Sequence, residues 1–392
     1  MAMPDRWDWL TEELRVWAAG GLLRRRREIR PLAEGRCWVD GHVAWDFASN
    51  DYLGLATHPS VVQAAMSALE THGVGAKASP LVCGRSDEHV RLEQALAEFE
   101  GTEAAIVFPT GMAANVGTVA ALASEGDSVF CDRLNHASLV DGCRLSGARL
   151  RVYRHDDLDG LSRSLARESS RRRFIVTDSV FSMDGDLAPL PELCAIRDRY
   201  GAILIVDEAH GTGVFGQSGR GVGEMLDVEE RIDVRIGTLS KAIGALGGFV
   251  AGRRELIEFL WNKARTQIYS TALPPAICAA ATAALQVIRA DSTGRDRLLQ
   301  RSAAFRNALV RSGIVPYPHS VGPIVPVVLH APEAAIEVSD SLLKNGFLVG
   351  AIRPPTVPQG TSRLRITLHA ATPDNALESF VAILAETCAG RV

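Results

Sequence analysis

Between about residue 59 and residue 251, short apolar runs alternate with stretches of helical periodicity, a rhythm few folds can satisfy. Val61–Thr71 and His89–Glu100 have helical spacing, Ala104–Phe108 is strand-like, and Thr110-Gly111 opens a helix through about Ala123. Ser128–Cys131, Arg149–Tyr153, Phe174–Asp178, Ile203–Asp207, Val234–Thr238 and Gly248–Ala251 continue the series of strand candidates. Strand and helix in turn predict an α/β fold, a mostly parallel sheet with helices on both faces. Ligands of such sheets gather outside the carboxyl ends of the strands. Asp207, Ser182, Thr238 and the Thr110-Gly111-Met112 turn all fall just past strand candidates, so the sheet would collect them at one end.

The flanks differ in character. Residues 5–28 read as an amphipathic helix ending in Arg24-Arg-Arg-Arg27, a charge run expected on a solvated face. Cys37–Val39 and Val43–Phe47 look like strands around an Asp40-Gly41 turn. After helices at about 272–291 and 294–312, strands at Ile324–Leu329 and Leu364–Leu368 alternate with helices at 333–345 and 373–388. The expected division is an N-terminal segment over 1–48, a large domain over 49–290 and a smaller α+β domain over 291–392.

A net charge of −4 argues against a nucleic-acid or membrane surface. The seven cysteines, Cys37, Cys83, Cys131, Cys143, Cys194, Cys278 and Cys388, are scattered without a Cys-x-x-Cys, a reduced cytoplasmic pattern. Met1–Leu10 mixes acids among its apolar residues and has no signal-peptide core. No His/Cys/Glu cluster has metal spacing.

Lys241 lies in Gly237-Thr-Leu-Ser-Lys-Ala-Ile-Gly-Ala-Leu-Gly-Gly-Phe-Val-Ala-Gly252, with no other charge and little bulk around it. Such an amine loses hydration with no neighbouring carboxylate to compensate. Upstream, Ile203-Leu-Ile-Val-Asp207-Glu-Ala-His210 reads as a buried strand ending in an acid and, three residues on, an imidazole. Those three groups suit pyridoxal 5′-phosphate (PLP): the lysine to bond the aldehyde, the acid to keep the pyridine nitrogen protonated. A surface lysine beside a strand-terminal acid would explain Lys241 alone, but not the set.

Other motifs are weaker. Phe108-Pro-Thr-Gly-Met-Ala-Ala-Asn115 offers a helix start that attracts phosphate or is simply Thr-capped. In Asn135-His136-Ala-Ser138 the imidazole either stacks on an aromatic cofactor or is an ordinary loop histidine. Gly211-Thr-Gly-Val-Phe-Gly216 matches a dinucleotide fingerprint, with Asp233 downstream, and would make the protein a nucleotide-binding oxidoreductase. It is discounted because Asp207 to His210 intervene after the strand and no apolar helix follows. Arg363 and Arg365 alternate along one strand face, either as surface arginines or with one forking onto a carboxylate.

Taken together, these segments resemble the α-oxoamine synthases, a fold-type I family of PLP enzymes, over nearly the whole chain. The matching segments are Ser49-Asn-Asp-Tyr-Leu-Gly-Leu55, Leu134–Ser138, Val180-Phe-Ser-Met-Asp-Gly-Asp186, Val206–Gly213, Thr238–Lys241, Tyr269-Ser-Thr271 and Arg353-Pro-Pro-Thr-Val-Pro358. The resemblance implies a PLP-dependent transferase fold with a mostly parallel seven-stranded sheet and a smaller α+β C-terminal domain. It implies that Lys241 bonds the cofactor and shuttles the substrate's Cα proton. Asp207 would pair with the pyridinium, His210 with the phenolic oxygen, and His136 would stack on the ring. Ser182 would approach the ring edge, while Gly111, Met112, Thr238 and Ser240 surround the phosphate. Ser270 and Thr271 would complete the phosphate site of the other subunit in a homodimer with shared active sites. Asn50 and Arg365 would meet the amino-acid carboxylate; Arg24, with the Thr356 segment, would face the acyl substrate.

Arg353–Pro358 points to the branch that condenses L-alanine with a pimeloyl thioester, on coenzyme A or acyl carrier protein, with loss of CO₂. Two departures stand out: Lys77 and Pro80 occupy positions usually small, or arginine at the second, and Cys83 replaces a common serine. Cys83-Gly84 and Leu134–Ser138 also occur in glycine C-acetyltransferases, the alternative within the family.

Overall fold

The computed structural model describes residues 5–388; the start of the N-terminal segment read above for a leader lies outside them. The chain forms two units, Asn50–Ser182 with Asp186–Leu299, and the residues up to Ser49 with Met183–Gly185 and Gln300 onward. The strands are β1 (Ile29–Pro31), β2 (Arg36–Val39), β3 (His42–Phe47), β4 (Ala104–Phe108), β5 (Ser128–Asp132), β6 (Arg149–Tyr153) and β7 (Arg173–Asp178). They continue with β8 (Ile203–Asp207), β9 (Val234–Thr238), β10 (Gly248–Gly252), β11 (Ile324–His330), β12 (Phe347–Ile352) and β13 (Ser362–Thr367).

The large unit is built on a seven-stranded sheet in the order β4-β10-β9-β8-β7-β5-β6. Neighbours from β9 to β6 run parallel, and only β10 is antiparallel to its neighbours β9 and β4. Alternate residues of β4 explain why both faces are covered. Ile106 and Phe108 pack with Val129, Phe174 and Ile205, while Ala105 and Val107 pack on the other face with Leu92 and Leu96. Leu92 and Leu96 belong to the helix Asp87–Glu100, which starts in a Ser86/His89 capping box. The exposed edge strand β6 carries Arg149 and Arg151, both held by Glu168 at 3.3 and 3.5 Å, and charge of this kind discourages further strand pairing.

The second unit has a six-stranded sheet, β1-β2-β3-β12-β13-β11. β2 and β3 form a hairpin in which Asp40 and Gly41 both take positive φ, 46° and 94°, the turn whose twist matches the strands. β3 then pairs parallel with β12, which joins the N-terminal strands to the C-terminal sheet. Phe47 of β3 stacks on Phe380 with ring centroids 4.4 Å apart, beside Phe305 and Phe347. Two expectations need correction. The N-terminal helix runs only from Asp8 to Ala19 and stops at Gly20-Gly21, so Arg24–Arg27 follow it as non-helical chain. The apolar run at β12, not expected as a strand, becomes one because β3 and β13 flank it. Among the described residues no helix is long and apolar enough to cross a membrane.

Because Phe47 is wholly buried among three aromatic rings, Phe47→Ala should lower unfolding stability by about 3–5 kcal/mol. A urea titration followed by circular dichroism would measure it; an unchanged midpoint would show that the cluster does not hold the second sheet.

Candidate active site

The carboxyl ends of β5, β7, β8 and β9, with the turn after β4, surround a cleft of about 200 Å³. Register explains its floor: Asp178, last residue of β7, is paired with Asp207, last residue of β8. Helix starts supply the walls. Thr110 caps the helix Gly111–Leu122 by accepting from the Ala113 N–H at 3.0 Å, and His136 caps Ala137–Leu145 by accepting from the Ser138 N–H at 3.3 Å. β9 ends at Thr238, and the next residues bring Ser240 and Lys241 to the opening.

Asp207 is held from two sides. Asn115 Nδ2 donates to one carboxylate oxygen at 2.6 Å and the Ala209 N–H to the other at 2.7 Å. Asn115 Nδ2 also reaches Ser138 Oγ at 2.9 Å, and that hydroxyl lies 2.6 Å from His136 Nδ1. The backbone N–H of His136 donates to Asp178 at 2.7 Å. Burial, then the adjacent Asp207 charge, push Asp178 well above the usual carboxylate range, which favours its protonated form. Desolvation on its protein side lowers His136, only partly offset by Asp207, and keeps its ring neutral.

A second chain of contacts reaches Lys241. Its Nζ lies 2.8 Å from His210 Nε2, and His210 Nδ1 lies 2.6 Å from the hydroxyl of fully buried Tyr52. That hydroxyl donates to Asn50 Oδ1 at 3.3 Å.

The donor set fits a phosphorylated pyridine aldehyde. Lys241 offers an amine, Asp207 an anion on the floor, and His136 a flat neutral ring in the opening. The start of the helix at Gly111 offers backbone N–H groups to phosphate. A Cβ at Gly111 would come within 3.1 Å of Thr238 Oγ1, so glycine lets these two walls approach without displacing the threonine. Asn115 Oδ1, buried with no hydrogen-bond partner in the structure, is a further polar atom at this cleft.

Of the residues expected here, Gly111, Met112, His136, Asp207, His210, Thr238, Ser240 and Lys241 all line the cleft. Asn50 joins through Tyr52. Ser182 ends the segment that follows β7, half-buried and outside the lining. Ser270 and Thr271 are outside it too, with Thr271 exposed. Arg24, Thr356 and Arg365 belong to the other unit, where Arg24 Nη2 is 3.5 Å from Thr356 Oγ1. Arg363 and Arg365 are buried on β13, an interior strand, not surface residues. Arg363 is engaged by Asp184 and lies over the Tyr317 ring, while Arg365 donates to Thr367 Oγ1 at 3.0 Å. Tyr52, Asn115, Ser138 and Asp178 had no expected role, although each sits in a motif or strand end already singled out.

Gly211, the first glycine of Gly211–Gly216, packs on another anion. Glu208 accepts from Ser179 Oγ, the Val222 N–H and the Gly223 N–H at 2.6, 3.0 and 2.8 Å. A Cβ on Gly211 would lie 1.9 Å from its carboxylate, so this glycine makes room for a side chain of the chain's own.

The sequence model of the aminotransferase class I and II family matches residues 44–384. The chain is 49% identical over 376 residues to the 8-amino-7-oxononanoate synthase of Geobacter sulfurreducens, covering 95% of this chain and 96% of that one. It is 48% identical to the Methylococcus capsulatus protein of the same name, covering 93% and 94%. Among solved structures, a serine palmitoyltransferase from S. paucimobilis with a bound PLP–myriocin aldimine superposes with a TM-score of 0.93 at 31% identity, covering 100% and 99%. The 8-amino-7-oxononanoate synthase of Francisella tularensis gives 0.75 at 31% identity, covering 87% and 96%. With its lysine, carboxylate and imidazole at the ends of a seven-stranded sheet, the chain belongs to the aminotransferase class I and II family and, within it, to the α-oxoamine synthases.

Proposed function

We propose that this protein is a PLP-dependent acyltransferase that condenses L-alanine with a pimeloyl thioester, on coenzyme A or acyl carrier protein. The products are 8-amino-7-oxononanoate, CO₂ and the free thiol carrier, a step of biotin synthesis. The observation that carries the reading is Lys241 Nζ held 2.8 Å from His210 Nε2 in a cleft that Asp207 also lines, in a chain 49% identical to a synthase of that name.

Bound in the cleft, PLP supplies an electron sink for negative charge at the amino acid's Cα, which both carbon–carbon bond formation and loss of CO₂ require. The chain's own groups do the rest. Asp207, fixed by Asn115 and Ala209, holds a negative charge where a ring nitrogen needs to keep its proton. Lys241 Nζ is the base for the Cα proton, with His210 Nε2 as its proton partner. His136 presents a neutral face to the ring, and the Gly111 helix start, Thr238 and Ser240 hold the phosphate. Asn50, Ser182, Arg365, Arg24 and Thr356 belong to the substrate and ring-edge contacts of the same reading. Ser270 and Thr271 lie outside their own chain's cleft, which supports a phosphate role across a homodimer interface. Seven free cysteines support a reducing, cytoplasmic location. Glycine C-acetyltransferase is the second reading, and Cys83, exposed in Pro80–Gly84, is the residue that favours it.

Steady-state assays of alanine and glycine against pimeloyl and acetyl thioesters should give the highest kcat/KM for alanine with the pimeloyl thioester. A preference for glycine with acetyl-CoA would overturn the substrate assignment. Borohydride reduction of the holoenzyme, followed by peptide mapping, should place the cofactor on Lys241, and Lys241→Ala should lose both the label and turnover. A label elsewhere would end the reading.

The carboxylate pair makes a sharper test. Asp207→Asn removes the one negative charge and should cut kcat by about 10²-fold or more. Asp178→Asn replaces a group already neutral and should keep kcat within about threefold of the parent. A carboxyl raised on folding contributes stability that is complete below its ordinary range and is lost as the pH rises toward its folded value. Asp178→Asn should therefore gain stability over the parent as pH is raised from about 4 to about 8. Equal loss of turnover in both variants would mean that both carboxylates carry charge.

A further inference from the structure

The loop after the edge strand β6 carries a histidine that the cleft does not use. His155 Nδ1 lies 3.1 Å from Asp132 Oδ2, and its Nε2 lies 2.7 Å from Asp186 Oδ2. Asp156, mostly exposed, approaches Nε2 at 3.6 Å, and the Phe181 ring meets the imidazole edge-on with centroids 4.4 Å apart. Both ring nitrogens donate only in the imidazolium form. Burial acts against that charge, but the bonds to Asp132 and Asp186 outweigh it and hold His155 up at about 10. While both nitrogens face carboxylates, neither is open to a metal ion.

The two carboxylates belong to two different loops at the cleft. Asp132 ends β5, and its other oxygen accepts from the Leu134 N–H at 2.8 Å, on the turn that leads to His136. Asp186 closes the turn that carries Ser182: its carbonyl accepts from the Phe181 N–H at 3.0 Å, and Val180 bridges Leu187 beyond it. Since β6, β5 and β7 are neighbours in the sheet, His155 reaches from the edge over β5 to the loop after β7. Asp156 takes a left-handed φ of 58°, turning the chain immediately after the imidazole. Asp186 Oδ1 is buried with no hydrogen-bond partner in the structure, so the imidazolium is what compensates this carboxylate. Without the cation, two poorly solvated carboxylates would face each other across the width of one ring, and the loops would move apart.

We propose that His155 is a positioning residue: by clamping Asp132 to Asp186 it fixes the loop of His136 against the turn of Ser182. Its effect on the cofactor rests on reading the cleft as a PLP site; the clamp itself does not.

The test uses the full chain. In His155→Gln without cofactor, hydrogen exchange read by mass spectrometry should quicken about tenfold in both segments 132–138 and 179–187, with the rest of the large sheet unchanged. The PLP dissociation constant should rise about tenfold, the visible circular dichroism of the bound cofactor should change, and His155→Arg should recover most of the affinity. If His155→Gln does not fold, Asp186→Asn carries the same measurements, because it uncouples one end of the clamp. Exchange within twofold of the parent in either segment, or quickening spread over the whole sheet, would overturn the clamp. Faster exchange in both segments with unchanged PLP affinity would overturn the positioning role. A parent protein that takes up no PLP would sink the functional reading, and the exchange measurement would still decide the clamp.

Discussion

Asp178 and Asp207 end neighbouring strands in register, and the cleft depends on how that juxtaposition is resolved. Two ionised carboxylates side by side in a dry sheet end would repel. Burial raises Asp178 well above the usual carboxylate range, while Asp207 is fixed by an asparagine and a backbone N–H. A parallel sheet makes this economical, because register alone aligns the strand ends and the loops then add Asn115, Ser138 and His136 around a fixed charge. Lys241 lines the same cleft, three residues past the end of β9.

The second network links groups distant in sequence. Asn50, Tyr52, His210 and Lys241 follow one another at 3.3, 2.6 and 2.8 Å. Tyr52 is fully buried, so its contact with the His210 ring is shielded from water, where hydrogen bonds are electrostatically stronger.

Much of this was legible in the sequence, for local reasons. β4, β6, β8 and β9 have the limits their apolar runs suggest, and eight cleft residues were nameable because strand ends and helix starts carry their chemistry in short motifs. Non-local pairing was not legible. β12 is a strand because β3, from the far end of the chain, lies beside it, and no local period encodes that neighbour. Arg363 and Arg365 looked like possible surface residues because alternation along a strand says nothing about whether that strand is interior. Tyr52 and Asn115 escaped notice for a related reason: their roles consist in what they touch, and their partners are distant in sequence.

Gly211–Gly216 shows why a glycine-rich stretch after a strand is a weak sign of a bound nucleotide. Glycine permits close approach to any anion, and here the anion is the chain's own Glu208, buried and met by two backbone N–H groups and a serine hydroxyl. Burial raises that carboxyl, and those three donors work against the rise. Gly211 makes room for Glu208, while Gly213 and Gly216 face Ala242 and Glu224, so the three glycines are accounted for by the chain's own side chains. At Gly111 the case is reversed: Thr110 caps the third residue of its helix and no carboxylate lines the Gly111, Thr238 and Ser240 wall. The two glycine sites therefore differ in charge rather than in shape. Gly211 is already committed to an internal anion, whereas the Gly111 helix start presents backbone N–H groups of the kind that attract phosphate.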